Sequence, residues 1–210
     1  MEKEANNQIL NKITFPEFNG IRCLMMPFIQ GDSNSLPDEY QSYSEIVENN
    51  YLKKGDIGFL TIDESYVKEG STQRGYNSNG IKRNVHIEVG QCSSGNRWGG
   101  PPPSWGGGYK TLLDDDTEVL ISNSIDNTCR IWGNKEFAYT KDGDLSHIID
   151  KYPEHTGLLL KGGQLAKISI FTPHECVIQN TNSERQFLRI VGKGVKGRED
   201  HFTINPLMIN

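Results

Sequence analysis

Apolar residues recur along this chain in two rhythms. Between residues 35 and 55, SLPDEYQSYSEIVENNYLKKG, the positions Leu36, Tyr40, Tyr43, Val47 and Tyr51 fall at helical spacing. Ser35 stands where an N-cap belongs, Pro37 is tolerated in a first turn, and Lys53, Lys54 and Gly55 suit a C-terminus. The pattern predicts one helix with an apolar stripe, packed on the outside of a sheet. Residues 21–29, IRCLMMPFI, read as a buried strand, whereas residues 1–12 are polar and predict no element.

From Gly55 onward the rhythm changes to strand-length segments divided by turn residues. The strands are expected over 56–67, 82–90, 117–125, 128–132, 157–161, 164–171 and 185–195. RGYNSNG separates the first two, Asp126-Asn127 reads as a hairpin turn, and Gly162-Gly163 as another turn. Residues 90–109, rich in Gly, Pro and Ser, have no periodicity, and 142–153 reads as a short helix or an irregular crossover. About eight short strands at intervals of roughly ten residues predict a mainly β fold, a sandwich or barrel of jelly-roll type with one or two flanking N-terminal helices. No repeat or linker divides the chain. It reads as a single domain over 1–210, with an extension (1–54) packed on a jelly-roll core (55–192) and a tail (193–210).

Composition narrows the function. The net charge of −5 argues against a general electrostatic grip on nucleic acid. The charged N-terminus MEKEANNQIL lacks the apolar run of a secretory leader, and no segment approaches membrane-spanning length. Cys23, Cys92, Cys129 and Cys176 are scattered with no CxxC spacing, against a zinc ribbon or a CxxC redox dithiol. A cytoplasmic protein with free thiols is expected, with no membrane partner.

Candidate chemistry centres on NVHIEVG and on the stretch from Lys161 to Val191. On an extended strand His86 and Glu88 leave the same face. Greek-key wrapping makes distant strands neighbours, so His174 can join them. Two imidazoles and a carboxylate on one side of a metal leave positions open for other ligands, the facial arrangement of non-haem iron(II) oxygenases. HxE, a long gap, a histidine and then Arg185 resembles the iron(II)- and 2-oxoglutarate-dependent oxygenases, whose pattern is HxD/E…H…R/K. The resemblance covers roughly residues 55–192. It implies a double-stranded β-helix, Fe(II) held by His86, Glu88 and His174, and 2-oxoglutarate gripped at its far carboxylate by Arg185 or by Arg189, which shares a strand face with it. Glutamate replaces the family's usual aspartate. Gly80 followed by His86-x-Glu88 is also similar to the first cupin motif, with Glu88 in place of its second histidine, and 163–180 loosely resembles the second motif.

The resemblance implies hydroxylation of a small-molecule or peptide substrate. Trp98 and Trp105, in the loop from Cys92 to Tyr109, are candidates to cover that substrate. Arg130, in an apolar strand, needs a partner and is a candidate second substrate anchor inside the barrel. His147, His155 and His201 are alternatives to His174. The cluster Asp114-Asp115-Asp116 with Glu118 fits no calcium-loop spacing, and GGGYKT is not a phosphate-binding loop because Tyr109 precedes Lys110. Two other functions remain open: a non-catalytic jelly-roll binding or structural module, such as a virion component, and a cupin-type metalloenzyme that does not use 2-oxoglutarate.

Overall fold

The computed structural model describes residues 3–4, 6–73, 83–88, 118–138, 143–192 and 203–208. It is mainly β and antiparallel. Among the described residues the strands are β1 (Lys3–Glu4), β2 (Gln8–Lys12), β3 (Arg22–Ile29), β4 (Ile57–Val67), β5 (Glu118–Asn123), β6 (Cys129–Ile131), β7 (Asn134–Lys135), β8 (Leu158–Leu159), β9 (Gln164–Ser169), β10 (His174–Cys176) and β11 (Ser183–Val191). They form a large sheet in the order β2-β9-β5-β11-β4-β3, a small sheet in the order β10-β6-β8, and the ribbon β1-β7. His86 extends the small sheet through single bridges to His174 on one side and Asp144 on the other.

The large sheet is buried on both faces, which explains why its central strands are nearly continuous apolar runs. Leu60, Ile62, Leu120, Leu188 and Ile190 point to one side, under Leu36, Tyr40, Tyr43, Ile46 and Val47 of the N-terminal segment. Val119, Ile121, Ala166, Ile168 and Val191 belong to the other core, shared with Ile87, Cys129 and Ile131 of the small sheet. Because side chains alternate along a strand, Arg185 and Arg189 fall on the same side of β11 as Val191 and enter the space between the sheets.

The expected helix is present in a different form. Asp38–Tyr43 is a 3-10 segment and only Ser44–Asn49 is α-helical. Ser35 is not its N-cap; it ends the earlier 3-10 turn Ser33–Ser35, which Asp32 caps by accepting from the Asn34 N–H. Tyr51 lies beyond the helix and is exposed, because Asn50 is already extended. The N-terminus departs further from expectation. Gln8–Lys12 is an edge strand on β9, exposed at every position, so it has no apolar alternation to read and is held by its pairing with β9. The turn at Asp126-Asn127 exists, with Asn127 at φ 59, but β5 and β6 do not pair with each other. The chain passes there from the large sheet to the small one. No helix among the described residues is long and apolar enough to cross a membrane.

Candidate functional site

The candidate groups converge where β10 and the His86 segment face β11 across the interior. His86 and His174 exchange both backbone hydrogen bonds, each N–H to the other's carbonyl at 2.9 Å. Their rings lie side by side, centroids 4.3 Å apart. The His86 Nδ1 is 2.8 Å from the Asn84 carbonyl oxygen, and the His174 Nδ1 is 2.9 Å from that of Thr172. A carbonyl only accepts, so each Nδ1 carries the proton and, in the neutral ring, each Nε2 is the lone-pair nitrogen. That is how metal-binding histidines are commonly oriented. The His174 Nε2 stands 3.5 Å from Glu88 Oε1. Two donors about 2.1 Å from one metal and at right angles to each other lie about 3 Å apart, so this separation is close to what a shared ion needs.

Glu88 has a second neighbour. Arg189 Nη1 donates to both of its oxygens, at 3.0 and 2.9 Å, and both side chains are almost completely buried. Arg189 Nη2 donates to Thr61 Oγ1 at 3.1 Å and lies 3.5 Å from Met25 Sδ. Thr61 Oγ1 also accepts the Met25 N–H at 3.1 Å, and Met25 sits at φ 48 in the bulge where the β3–β4 register shifts. A left-handed methionine is uncommon, and here it fills the bulge beside a buried guanidinium. Among the described residues no group of three or more His, Cys, Asp and Glu side chains is arranged to hold a metal ion. The nearest approach to one has Arg189 gripping its carboxylate.

Arg185 lies four residues before Arg189 on the same face of β11, buried, with Nη2 donating to Asn123 Oδ1 and its guanidinium 5.5 Å from the Phe187 ring centroid. Asn123 Oδ1 orients the guanidinium. Two residues along the same ladder from His174 and Ile131, Cys176 and Cys129 stand opposite each other on the same face. Burial pushes the Cys129 thiol up to about 12; nearby Cys176 adds to the rise and Arg185 opposes it.

Arg130 is not among these groups. On β6 it points to the opposite side from Cys129 and Ile131, into a network on the outer face of the small sheet. Its Nη1 pairs with Glu175 and its Nη2 with Glu154 at 3.2 Å. Arg83 Nε donates to the other Glu175 oxygen at 2.9 Å, its Nη2 donates to the Tyr152 carbonyl at 2.7 Å, and its guanidinium lies 5.6 Å from the Trp132 ring centroid. The partner that Arg130 required is therefore Glu175, and its place as a substrate anchor inside the barrel is not supported. Gly157 closes over this network: a Cβ there would come within 2.5 Å of the Arg130 side chain.

His147 and His155 lie on the 3-10 segments Ser146–Lys151 and Glu154–Thr156 and take no part in the bridge between His86 and His174. Glu118 pairs with Lys167 at 2.9 Å. Trp98, Trp105, Asp114, Asp115, Asp116 and His201 lie outside the described residues. Sequence reasoning did not find Asn123, Thr61 or Met25, because a polar residue or a methionine inside an apolar run has no pattern that names its neighbour. It also missed two buried carboxylates. Burial alone would raise Glu64, but donors from Tyr43, Gln186, Ile21 N–H and Asn19 N–H outweigh it and hold Glu64 below the usual carboxylate range. Glu136 is likewise low: burial opposes, and Tyr152, the Ala138 and Phe137 N–H groups and Lys151 prevail.

Compared with protein-family models, with curated proteins and with solved structures, the chain gives no match.

Proposed function

We propose that this chain is a metal-dependent oxygenase on a double-stranded β-helix, with Fe(II) held by His86, His174 and Glu88 and 2-oxoglutarate anchored by Arg185. The observation that carries the reading is the pair of side-by-side histidines, each oriented by its Nδ1–H bond to a carbonyl, with the His174 Nε2 3.5 Å from the buried Glu88 carboxylate. The strand order supports the fold. Taken along the chain, β4, β5, β9 and β11 lie in the large sheet, while the His86 segment, β6, β8 and β10 lie in the small one. Apart from β6 to β8, each step between these segments crosses from one sheet to the other, as a jelly roll requires.

Bound iron would supply activation of oxygen for attack on a C–H bond. The protein's own part is to hold and orient. Arg189 positions Glu88, and a cation held by Glu88 would compete with it for the carboxylate. Arg185, planar and fixed by Asn123, suits a carboxylate entering between the sheets, where its charge is little screened.

The Glu88–Arg189 pair favours a second reading, a jelly-roll binding or structural module in which the interior groups only stabilise the fold. Metal uptake separates the two. Wild-type protein purified without chelator is expected to take up Fe(II) or Mn(II) stoichiometrically, and to gain thermal stability from the metal and further from 2-oxoglutarate by mass action. His174→Ala should lose the metal effect, and Arg185→Gln should keep it while losing the 2-oxoglutarate effect. Succinate release with Fe(II) and ascorbate completes the test. Absence of metal uptake by the folded wild type, with stability unchanged by chelator, selects the non-catalytic reading.

A further inference from the structure

Cys129 and Cys176 lie far apart in sequence, yet the register of β6 and β10 sets them directly opposite each other. The ladder fixes the kind of site they occupy. Val177 N–H donates to the Thr128 carbonyl on one side of the pair, and Trp132 N–H donates to the Pro173 carbonyl three steps away on the other. Hydrogen-bonded and non-hydrogen-bonded pairs alternate along an antiparallel ladder, so the pair between Cys176 and Cys129 is of the non-hydrogen-bonded kind. At such pairs the Cα atoms approach to about 4.5 Å and the side chains are closest. A disulfide accepts Cα separations of about 4.4–6.8 Å, so a small closing movement suffices.

We propose that Cys129 and Cys176 form a reversible intrachain disulfide, a redox-modification site on the inner face of the small sheet beside His174. The structure holds them as separate thiols. Cys176 is half-buried and is the sulfur an oxidant reaches first, whereas Cys129 is buried behind it. With a hydroperoxide as oxidant, the Cys176 sulfur attacks the O–O bond and becomes a sulfenic acid, releasing water or an alcohol. The Cys129 sulfur then displaces the hydroxyl, the S–S bond forms, and a second water leaves with the thiol proton. Two thiols lose two electrons and the peroxide gains them. Cys23 does not compete, because it belongs to the core on the other side of the large sheet. The bond would join β10 to β6 two residues from His174, and the proposal holds whether or not the interior binds metal.

The test uses the full chain, fully reduced and then treated with hydrogen peroxide or diamide under non-denaturing conditions. The expected result is loss of two of the four thiols, a crosslinked peptide joining Cys129 to Cys176, no dimer, and full recovery with dithiothreitol. Cys92→Ser should oxidise as the wild type does, while Cys176→Ser should leave Cys129 reduced. Peptide mapping of the wild type decides the matter even if a cysteine variant folds poorly. The proposal is overturned if the folded protein keeps all its thiols, if Cys176 joins Cys92 or a second chain instead, or if Cys92→Ser abolishes the bond.

Discussion

His174 and Glu175 are neighbours on β10, yet they belong to two different buried constellations. On the inner face, Glu88 is gripped by Arg189 beside two imidazoles. On the outer face, Glu175 is gripped by Arg130 and Arg83 beneath Gly157. Both are carboxylates more than nine-tenths buried against a guanidinium, and neither pair is by itself a sign of function. What separates them is the company they keep. The outer carboxylate is surrounded by cations that leave it nothing further to do. The inner one is held by Arg189 and has a histidine nitrogen 3.5 Å away whose lone pair is fixed by a backbone carbonyl. A buried ion pair becomes a candidate site when adjacent donors offer a cation an alternative partner.

The sharpest way to break this comparison is to remove one charge from each pair. Glu175→Gln and Glu88→Gln are expected to cost up to about 3–5 kcal/mol, because each removes a buried carboxylate from its guanidinium partner; Arg130 keeps the exposed Glu154, so the outer change should cost the less of the two. Denaturant midpoints measure the loss. Replacing both members by apolar side chains should recover much of it: Glu175→Leu with Arg130→Met, and Glu88→Leu with Arg189→Met. Metal uptake should survive the outer double change and vanish with the inner one. Equal effects of the two double variants on metal would remove the distinction drawn here.

A third buried carboxylate sharpens the contrast. Glu64 is held by neutral donors, the Tyr43 hydroxyl at 2.7 Å and the Gln186 amide at 2.9 Å. Tyr43→Phe should cost about 1.5–3 kcal/mol, the range for a hydrogen bond to a charged group. Glu64 and Glu136 are both depressed below their ordinary 4.5. Their stabilisation is therefore fully present above about pH 4.5 and is lost as pH falls through the lower folded values. Stability measured from pH 7 to pH 2 should show this acid limb, and Glu64→Gln should flatten it.

Gly157→Ala probes the lid of the outer network. Its backbone is extended, so the cost is steric displacement of Arg130 and Trp132, about 1–3 kcal/mol, with metal uptake unchanged. The smallest effect is expected at Arg22, paired with Asp63 at 3.0 Å but largely exposed. Arg22→Ala should change stability by less than about 0.5 kcal/mol, and by still less at high salt.

The mainly β character and several strands were legible in the sequence, because alternation and turn residues are local signals. Candidate groups were legible only in part. His86 and Glu88 share a short motif, but Arg185 and Arg189 look alike on β11, and nothing local says that one meets Asn123 and the other Glu88. Arg130 shows the limit most plainly: its place in an apolar run announced a buried charge, but its face and its partner Glu175 depended on which strand lay alongside.

The amino-acid order by itself determined that the chain is mainly β, which residues alternate on a face of its longer strands, and that a charge at Arg130 must be met. Only the tertiary structure decided that β5 and β6 enter different sheets, that Gln8–Lys12 is an edge strand, and that Cys129 stands opposite Cys176. The physical reason is that periodicity acts over a few residues, whereas strand pairing is a choice among distant segments made by backbone hydrogen bonds common to every residue but proline. The identity of a neighbour is therefore set by the register of the whole sheet.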